Sequence, residues 1–169
     1  LCQRPDVGIV GAKLLYDDNT VQHAGVIIGY QGVAGHAFTG IGDDVYGYFA
    51  RAVLTQELSA VTAACLLTKR SVFEEVDKLD ETFEVAFNDI DYCMKVRKAG
   101  YKVMYEPHAK LHHYEYKSRG AEDTGSKQER FGGEIMHFID KWRPELIKGD
   151  PYYNPNFELV GELYTIKKC

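Results

Sequence analysis

Apolar and polar positions alternate along the chain in stretches of different rhythm. Val7 to Tyr16 is a dense apolar run broken only by Gly8 and Gly11, the pattern of a buried strand. Asp17-Asp18-Asn19 supplies turn chemistry and Val21 to Tyr30 resumes the apolar pattern, so the two segments are expected to pair as a hairpin. Gly32 to Tyr48 is rich in glycine, carries His36, Phe38, Asp43, Asp44, Tyr46 and Tyr48, and holds no period; it predicts a long loop. Loops of that length tend to be functional or disordered, and their aromatics can stack on sugar faces. Glu57 to Thr68 is almost continuously apolar and predicts a central strand covered on both faces, with small residues at Ser59, Thr62, Ala63 and Ala64 leaving space beside it.

The helical rhythm appears first at Val72 to Val76, a short helix with Ser71 as N-cap and Glu74 as its partner three residues on. Leu79 to Phe87 has no clear period, and its alternate Phe83, Val85 and Phe87 are expected to be buried as the chain approaches the next helix. That helix has the strongest local signature: Asn88 as N-cap, Asp89 and Asp91 in the first turn, Ile90, Cys93 and Met94 on one apolar face, and Gly100 as a left-handed closing residue. Asp89 lies to one side of that face, at the helix entrance. A carboxylate there suits a general base, although first-turn aspartates serve the helix dipole as well. A strand from Tyr101 to Glu106 follows, with Val103 and Tyr105 on one side and Met104 on the other. Pro107 and the pair His112-His113 lie just beyond it. After a polar connector, Gly120 to Ser126, a second helix is expected from about Lys127 to Trp142, with Phe131, Ile135, Phe138, Ile139 and Trp142 at three- and four-residue spacings. Gly132 and Gly133 each weaken its middle by about 1 kcal/mol relative to alanine. Arg143-Pro144 ends or kinks it, and Asp150 to Phe157 forms an irregular aromatic segment.

Length and composition fit one soluble globular domain. The net charge of −5 argues against general binding to nucleic acid or an anionic membrane. No apolar run approaches the roughly 20 residues needed to cross a bilayer, and the N-terminus does not read as a signal peptide. The four cysteines have no CxxC spacing, which predicts a reducing compartment and no structural disulfide. His23 and His36 have no carboxylate or cysteine spacing to make them ligands, so hydrogen bonding in core or loop is expected of both.

Several motifs in order add a resemblance. Thr62-Ala63-Ala64-Cys65-Leu66-Leu67, Val72-Phe73-Glu74-Glu75-Val76, Leu79-Asp80-Glu81, Asn88-Asp89-Ile90-Asp91-Tyr92-Cys93, Ala99-Gly100-Tyr101, Pro107, Ala109 and His113 together resemble the second half of a family-two glycosyltransferase of the GT-A fold. Pro5-Asp6-Val7-Gly8, Gln22-His23-Ala24-Gly25-Val26, Ser118-Arg119-Gly120 and Asp150-Pro151-Tyr152-Tyr153-Asn154-Pro155 resemble a bacterial branch associated with cell-surface polysaccharide. The match covers nearly the whole chain.

The resemblance implies an α/β partial GT-A fold over residues 1–169, a mixed sheet with flanking helices, whose nucleotide-binding half with its Asp-x-Asp motif lies elsewhere. The aromatic tail segment 150–169 is expected to pack over the acceptor cleft. Asp89 is implied as the base of an inverting transfer and His113 as a ligand of manganese or magnesium, the metal site being completed outside this chain. Thr62, Ala63, Asn88, Asp91, Lys117 and Arg119 are implied as substrate contacts, the last two toward the diphosphate. Asn88 departs from the Glu-Asp pair of many relatives and removes one carboxylate. The implied partners are a nucleotide-sugar donor, a glycan or lipid-linked glycan acceptor, and the other half of the protein. The expected location is cytoplasmic or peripheral at the inner face of the membrane. A non-catalytic carbohydrate-binding or docking module is the alternative.

Overall fold

The sheet is built outward from β1 (Val7–Leu15), the apolar run at the start of the chain. The computed structural model describes residues 1–114 and 125–168. One edge of β1 pairs in parallel with β7 (Lys102–His112), which in turn pairs antiparallel with β5 (Gln56–Leu58). The other edge is shared: β6 (Leu66–Thr68) runs antiparallel to the first half of β1 and β2 (Val21–His23) to its end. The result is a mixed five-stranded sheet. β3 (Val26–Ile28) and β4 (Ala34–His36) form a separate two-stranded ribbon.

Three helices accompany the strands: α1 (Arg70–Glu75), α2 (Asn88–Lys98) and α3 (Gly125–Lys148). α2 buries Ile90, Tyr92, Cys93, Met94 and Val96, close to the expected apolar face, and Gly100 beyond it has φ +93°. It lies on the sheet at close range because β1 carries glycine where bulk would clash. A Cβ on Gly8 would stand 2.5 Å from Val96 Cγ1 of α2; Gly11 in turn admits Val61, from the passage after β5, 2.5 Å from where its Cβ would be. α3 continues through Gly132 and Gly133 and kinks at Trp142, two residues before Pro144. No helix among the described residues is long and apolar enough to cross a membrane.

Several expectations change. The run Glu57 to Thr68 is not one central strand. It splits into β5, an extended passage, a single 3-10 turn over Ala63–Cys65 and the edge strand β6, where Leu67 is exposed. The hydroxyl of Thr62 accepts the Ala64 amide and starts that turn, which an apolar count cannot reveal. The hairpin after Asp18 is short, because the chain leaves β1 after His23 and Gly25, at φ +102°, turns it into the ribbon. The segment Gly32 to Tyr48 contains β4 and is therefore not loop throughout. β7 is longer than expected, and Pro107 survives inside it because the register with β1 slips from Ala12–Glu106 to Lys13–Lys110, leaving residues 107–109 as a bulge. Ser71 caps nothing: α1 begins at Arg70, with Arg70 and Glu74 paired at 2.8 Å along it.

The segment after α3 is fastened into the core by Asp150. Its buried carboxylate accepts the Ile28 amide at 2.8 Å, the Ser59 hydroxyl at 2.7 Å and the Tyr152 amide at 2.8 Å. Phe38, Tyr164 and Tyr48 then stack in series, with centroid separations of 5.1 and 4.7 Å. Both faces of the Tyr164 ring are covered by its neighbours, so this ring clamps the tail to the loop.

Candidate functional site

α2 ends beside the start of β1, where Val96 meets Gly8, and it begins further along the sheet. Cys93 Sγ contacts the Val61 carbonyl at 3.5 Å, and one turn earlier Asp89 reaches the 3-10 turn. The helix entrance therefore points toward the C-terminal ends of the parallel pair β1 and β7, the end of an α/β sheet at which ligands bind.

Two helical starts converge on Asp89. Its Oδ1 accepts the Ile90 amide at 2.8 Å, within α2, and its Oδ2 accepts the Ala63 amide at 3.0 Å, within the turn that Thr62 begins. The carboxylate is half-buried. Each oxygen keeps one lone-pair direction beyond these bonds, so the group can accept a further proton or hydroxyl without giving up either contact. Thr62, Ala63 and Asp89, expected as site residues, are thus brought together from positions 26 residues apart. Asn88 adjoins them, but as the first helical residue: the cap position is taken by Phe87 at φ +64°. Tertiary contacts hold Phe87 in that left-handed conformation. Its ring stacks against Phe131 and Phe138, and the buried Glu134 of α3 accepts the Val85 and Ala86 amides at 2.8 and 3.2 Å.

Asp91 points the other way. It has no exposed surface; Oδ1 accepts the Trp142 indole N–H at 2.8 Å and lies 2.7 Å from Lys141 Nζ, while Lys95 Nζ stands 3.7 Å from Oδ2. Lys141 also binds Asp80 at 2.6 Å, and the Asp80 carboxyl is held well below the usual carboxylate range by that bond and by Thr82. In this position Asp91 joins α2 to α3.

At the same C-terminal end of the parallel pair, His112 closes β7 and His113 follows. Gln22 of β2 grips His113 twice: its amide Nε2 donates to the His113 carbonyl at 3.1 Å, and its Oε1 stands 2.8 Å from Nδ1. With Nε2 of Gln22 donating, its oxygen must accept, so the His113 proton sits on Nδ1 and Nε2 is the lone-pair nitrogen, the orientation a metal ligand has. Among the described residues no three His, Cys, Asp or Glu side chains gather as metal ligands. The described residues do not build a metal centre alone. Lys117 and Arg119 lie outside the described residues.

Nothing local in the sequence pairs Gln22 with His113 or Thr62 with His23. What the sequence does show is two adjacent polar residues, Gln22 and His23, interrupting the apolar stretch from Val21, and both are buried. His23 Nδ1 lies 3.1 Å from His36 Nδ1 and His23 Nε2 lies 3.4 Å from the Thr62 amide, in keeping with the hydrogen bonding expected of both histidines.

Two curated relatives align along almost the whole chain. It is 51% identical over 160 residues to an uncharacterized protein, y4gI, of Sinorhizobium fredii, an alignment covering 94% of this chain and 18% of that protein. It is 36% identical over 161 residues to the O-antigen biosynthesis protein RfbC of Myxococcus xanthus, covering 94% of this chain and 12% of that protein. The chain spans less than a fifth of the length of either relative. No family model matches it, and no solved structure does.

Proposed function

We propose that this chain is the acceptor-side half of an inverting family-two glycosyltransferase of the GT-A fold, acting in bacterial surface-polysaccharide synthesis. The observation that carries the reading is the half-buried Asp89 carboxylate, fixed by two amides from separate elements at the C-terminal end of the parallel strands. Similarity to an O-antigen biosynthesis protein supports the pathway.

In this reading a hydroxyl of the glycan or lipid-linked glycan acceptor gives its proton to Asp89 as its oxygen attacks C1 of the donor sugar. The new O–C1 bond forms on the face opposite the breaking C1–O bond to the nucleoside diphosphate, so configuration at C1 inverts. A carboxylate held in position supplies the general-base part of such a step, about 10²–10⁴-fold in rate. Thr62 and Ala63 flank the base and Asn88 adjoins it. Lys117 and Arg119 remain in the proposal as contacts to the diphosphate. His113 would contribute one nitrogen to a manganese or magnesium site completed by residues outside this chain. The donor half and the location, in the cytoplasm or at the inner membrane face, belong to the same proposal.

The test is calorimetric titration of nucleoside diphosphates with manganese into this chain and, in parallel, into a longer protein extended upstream. Binding to the longer protein alone supports the reading. Absence of binding to both removes it in favour of a carbohydrate-binding or docking module. That rival draws its support from the exposed loop aromatics Tyr46 and Phe49; the Tyr164 ring, covered on both faces, has none free for a sugar.

A further inference from the structure

His23 has no exposed surface, and both of its ring nitrogens meet a partner. The Thr62 amide at 3.4 Å can only donate, so His23 Nε2 must be the lone-pair nitrogen and the proton of the neutral ring must sit on Nδ1. That proton points at His36 Nδ1, 3.1 Å away, which then accepts and carries its own hydrogen on Nε2. The Gln22 carbonyl, 3.2 Å from the same His36 Nδ1, asks for the reverse, because only a protonated nitrogen donates to a carbonyl. The two arrangements exclude one another. With a hydrogen on His36 Nδ1, His23 accepts at Nδ1, its Nε2 carries the hydrogen, and the Thr62 amide faces a second donor.

We propose that His23 is a positioning residue for Asp89, its tautomer being set by the protonation state of the exposed His36 and deciding whether the Thr62–Ala63 turn is held. Ala63, the next residue, donates its amide to Asp89 Oδ2 at 3.0 Å, so the turn is shared between imidazole and carboxylate. A cationic His36 donates from both nitrogens and imposes the second arrangement. Acid therefore releases Thr62, and neutral pH restores it. The consequence for sugar transfer rests on the reading of Asp89 as base; the hydrogen-bond switch does not.

The surroundings of the pair determine which ring takes the proton. His23 faces His36 from β4 and the edge of Tyr105 from β7, whose hydroxyl is given to the Ala52 carbonyl at 3.0 Å. Burial, and then the neighbouring His36, hold the His23 ring well below the ordinary imidazole range. His36 lines the cleft between loop and tail together with Tyr30, Tyr48, Glu162 and Tyr164. The exposed ring is thus the one that charges, and the buried ring answers by moving its proton.

The experiment is nuclear magnetic resonance of the isotopically labelled protein between pH 8 and pH 5, recording the imidazole nitrogens and the Thr62 and Ala63 amides. It is repeated on His36→Asn, whose amide oxygen can accept from His23 Nδ1–H but cannot titrate. The expected result is the Nδ1–H tautomer of His23 at pH 8, with both amide signals shifting at the midpoint of His36, and no shift in the variant. Finding His23 as the Nε2–H tautomer at pH 8, or amides that ignore the His36 titration, would overturn the proposal. Should the variant fail to fold, the wild-type titration decides alone. Neither result depends on nucleotide binding, so failure here is distinct from failure of the transferase reading.

Discussion

Replacement of Asp91 by alanine should destabilise the protein by about 2–3 kcal/mol. Its carboxylate accepts the Trp142 indole, and a hydrogen bond to a charged partner contributes about 1.5–3 kcal/mol. Lys141 loses one of two carboxylates but keeps Asp80 at 2.6 Å, and its side chain is 29% exposed. The cost therefore falls short of the roughly 3–5 kcal/mol for stranding a buried charge. One term works in the opposite direction: Asp91 Oδ2 has no hydrogen-bond partner, so part of its desolvation is relieved on removal. Urea unfolding monitored by Trp142 fluorescence measures the difference. With a slope of about 2 kcal/mol per M, the midpoint should fall by roughly 1–1.5 M. Asp91→Asn, which keeps an acceptor for the indole, should lose about half as much. A midpoint within about 0.25 M of wild type for Asp91→Ala would refute the role as a tie between α2 and α3, and would return Asp91 to the candidates for substrate contact.

Three further outcomes follow from the packing and the buried groups. Gly8→Ala places a methyl 2.5 Å from Val96 Cγ1 and 2.9 Å from Tyr101 Cβ, and should lower the melting temperature by several degrees, about 2 kcal/mol of overpacking. His23 is kept neutral in the fold, while in the unfolded chain it binds a proton below pH about 6.5. Its contribution to stability is complete above that pH and lost below it, at about 1.4 kcal/mol per pH unit; His23→Gln should remove that slope from the pH dependence of urea midpoints. Burial raises the Cys93 thiol to about 12, so a thiol reagent should modify the half-buried Cys2 and Cys65 in the native protein and Cys93 only after denaturation.

Local signals were legible where the local sequence alone decides the geometry. α2 was readable because Gly100 and the Ile90, Cys93, Met94 spacing need no distant partner. Pro144 announced the kink in α3, and the apolar density of Val7 to Tyr16 announced β1. Elements set by distant contacts were not readable. Asn88 is a better cap than Phe87 on local grounds, but Glu134, 46 positions later, binds the two amides ahead of Phe87 and fixes the cap one residue earlier. The apolar stretch from Leu58 to Leu67 is equally compatible with one strand or with two strands and a turn, and the Thr62 hydroxyl decides between them. At the candidate site, Asp89 could be named from its helix position and the resemblance, whereas the amide of Ala63 and the imidazole of His23 come into view only when β2, the 3-10 turn and α2 meet. Asp91, two residues from Asp89 and alike in chemistry, turns through the helical angle to face α3, a difference only the packing reveals.

The most direct measurement is sugar transfer from nucleotide-sugar by the longer protein carrying this chain, comparing wild type with Asp89→Asn at matched donor binding. The substitution keeps the size of the side chain and removes its capacity to take a proton. Loss of transfer by about 10²–10⁴-fold with nucleotide affinity retained is the predicted result. Transfer within tenfold of wild type would contradict it and take Asp89 out of the mechanism.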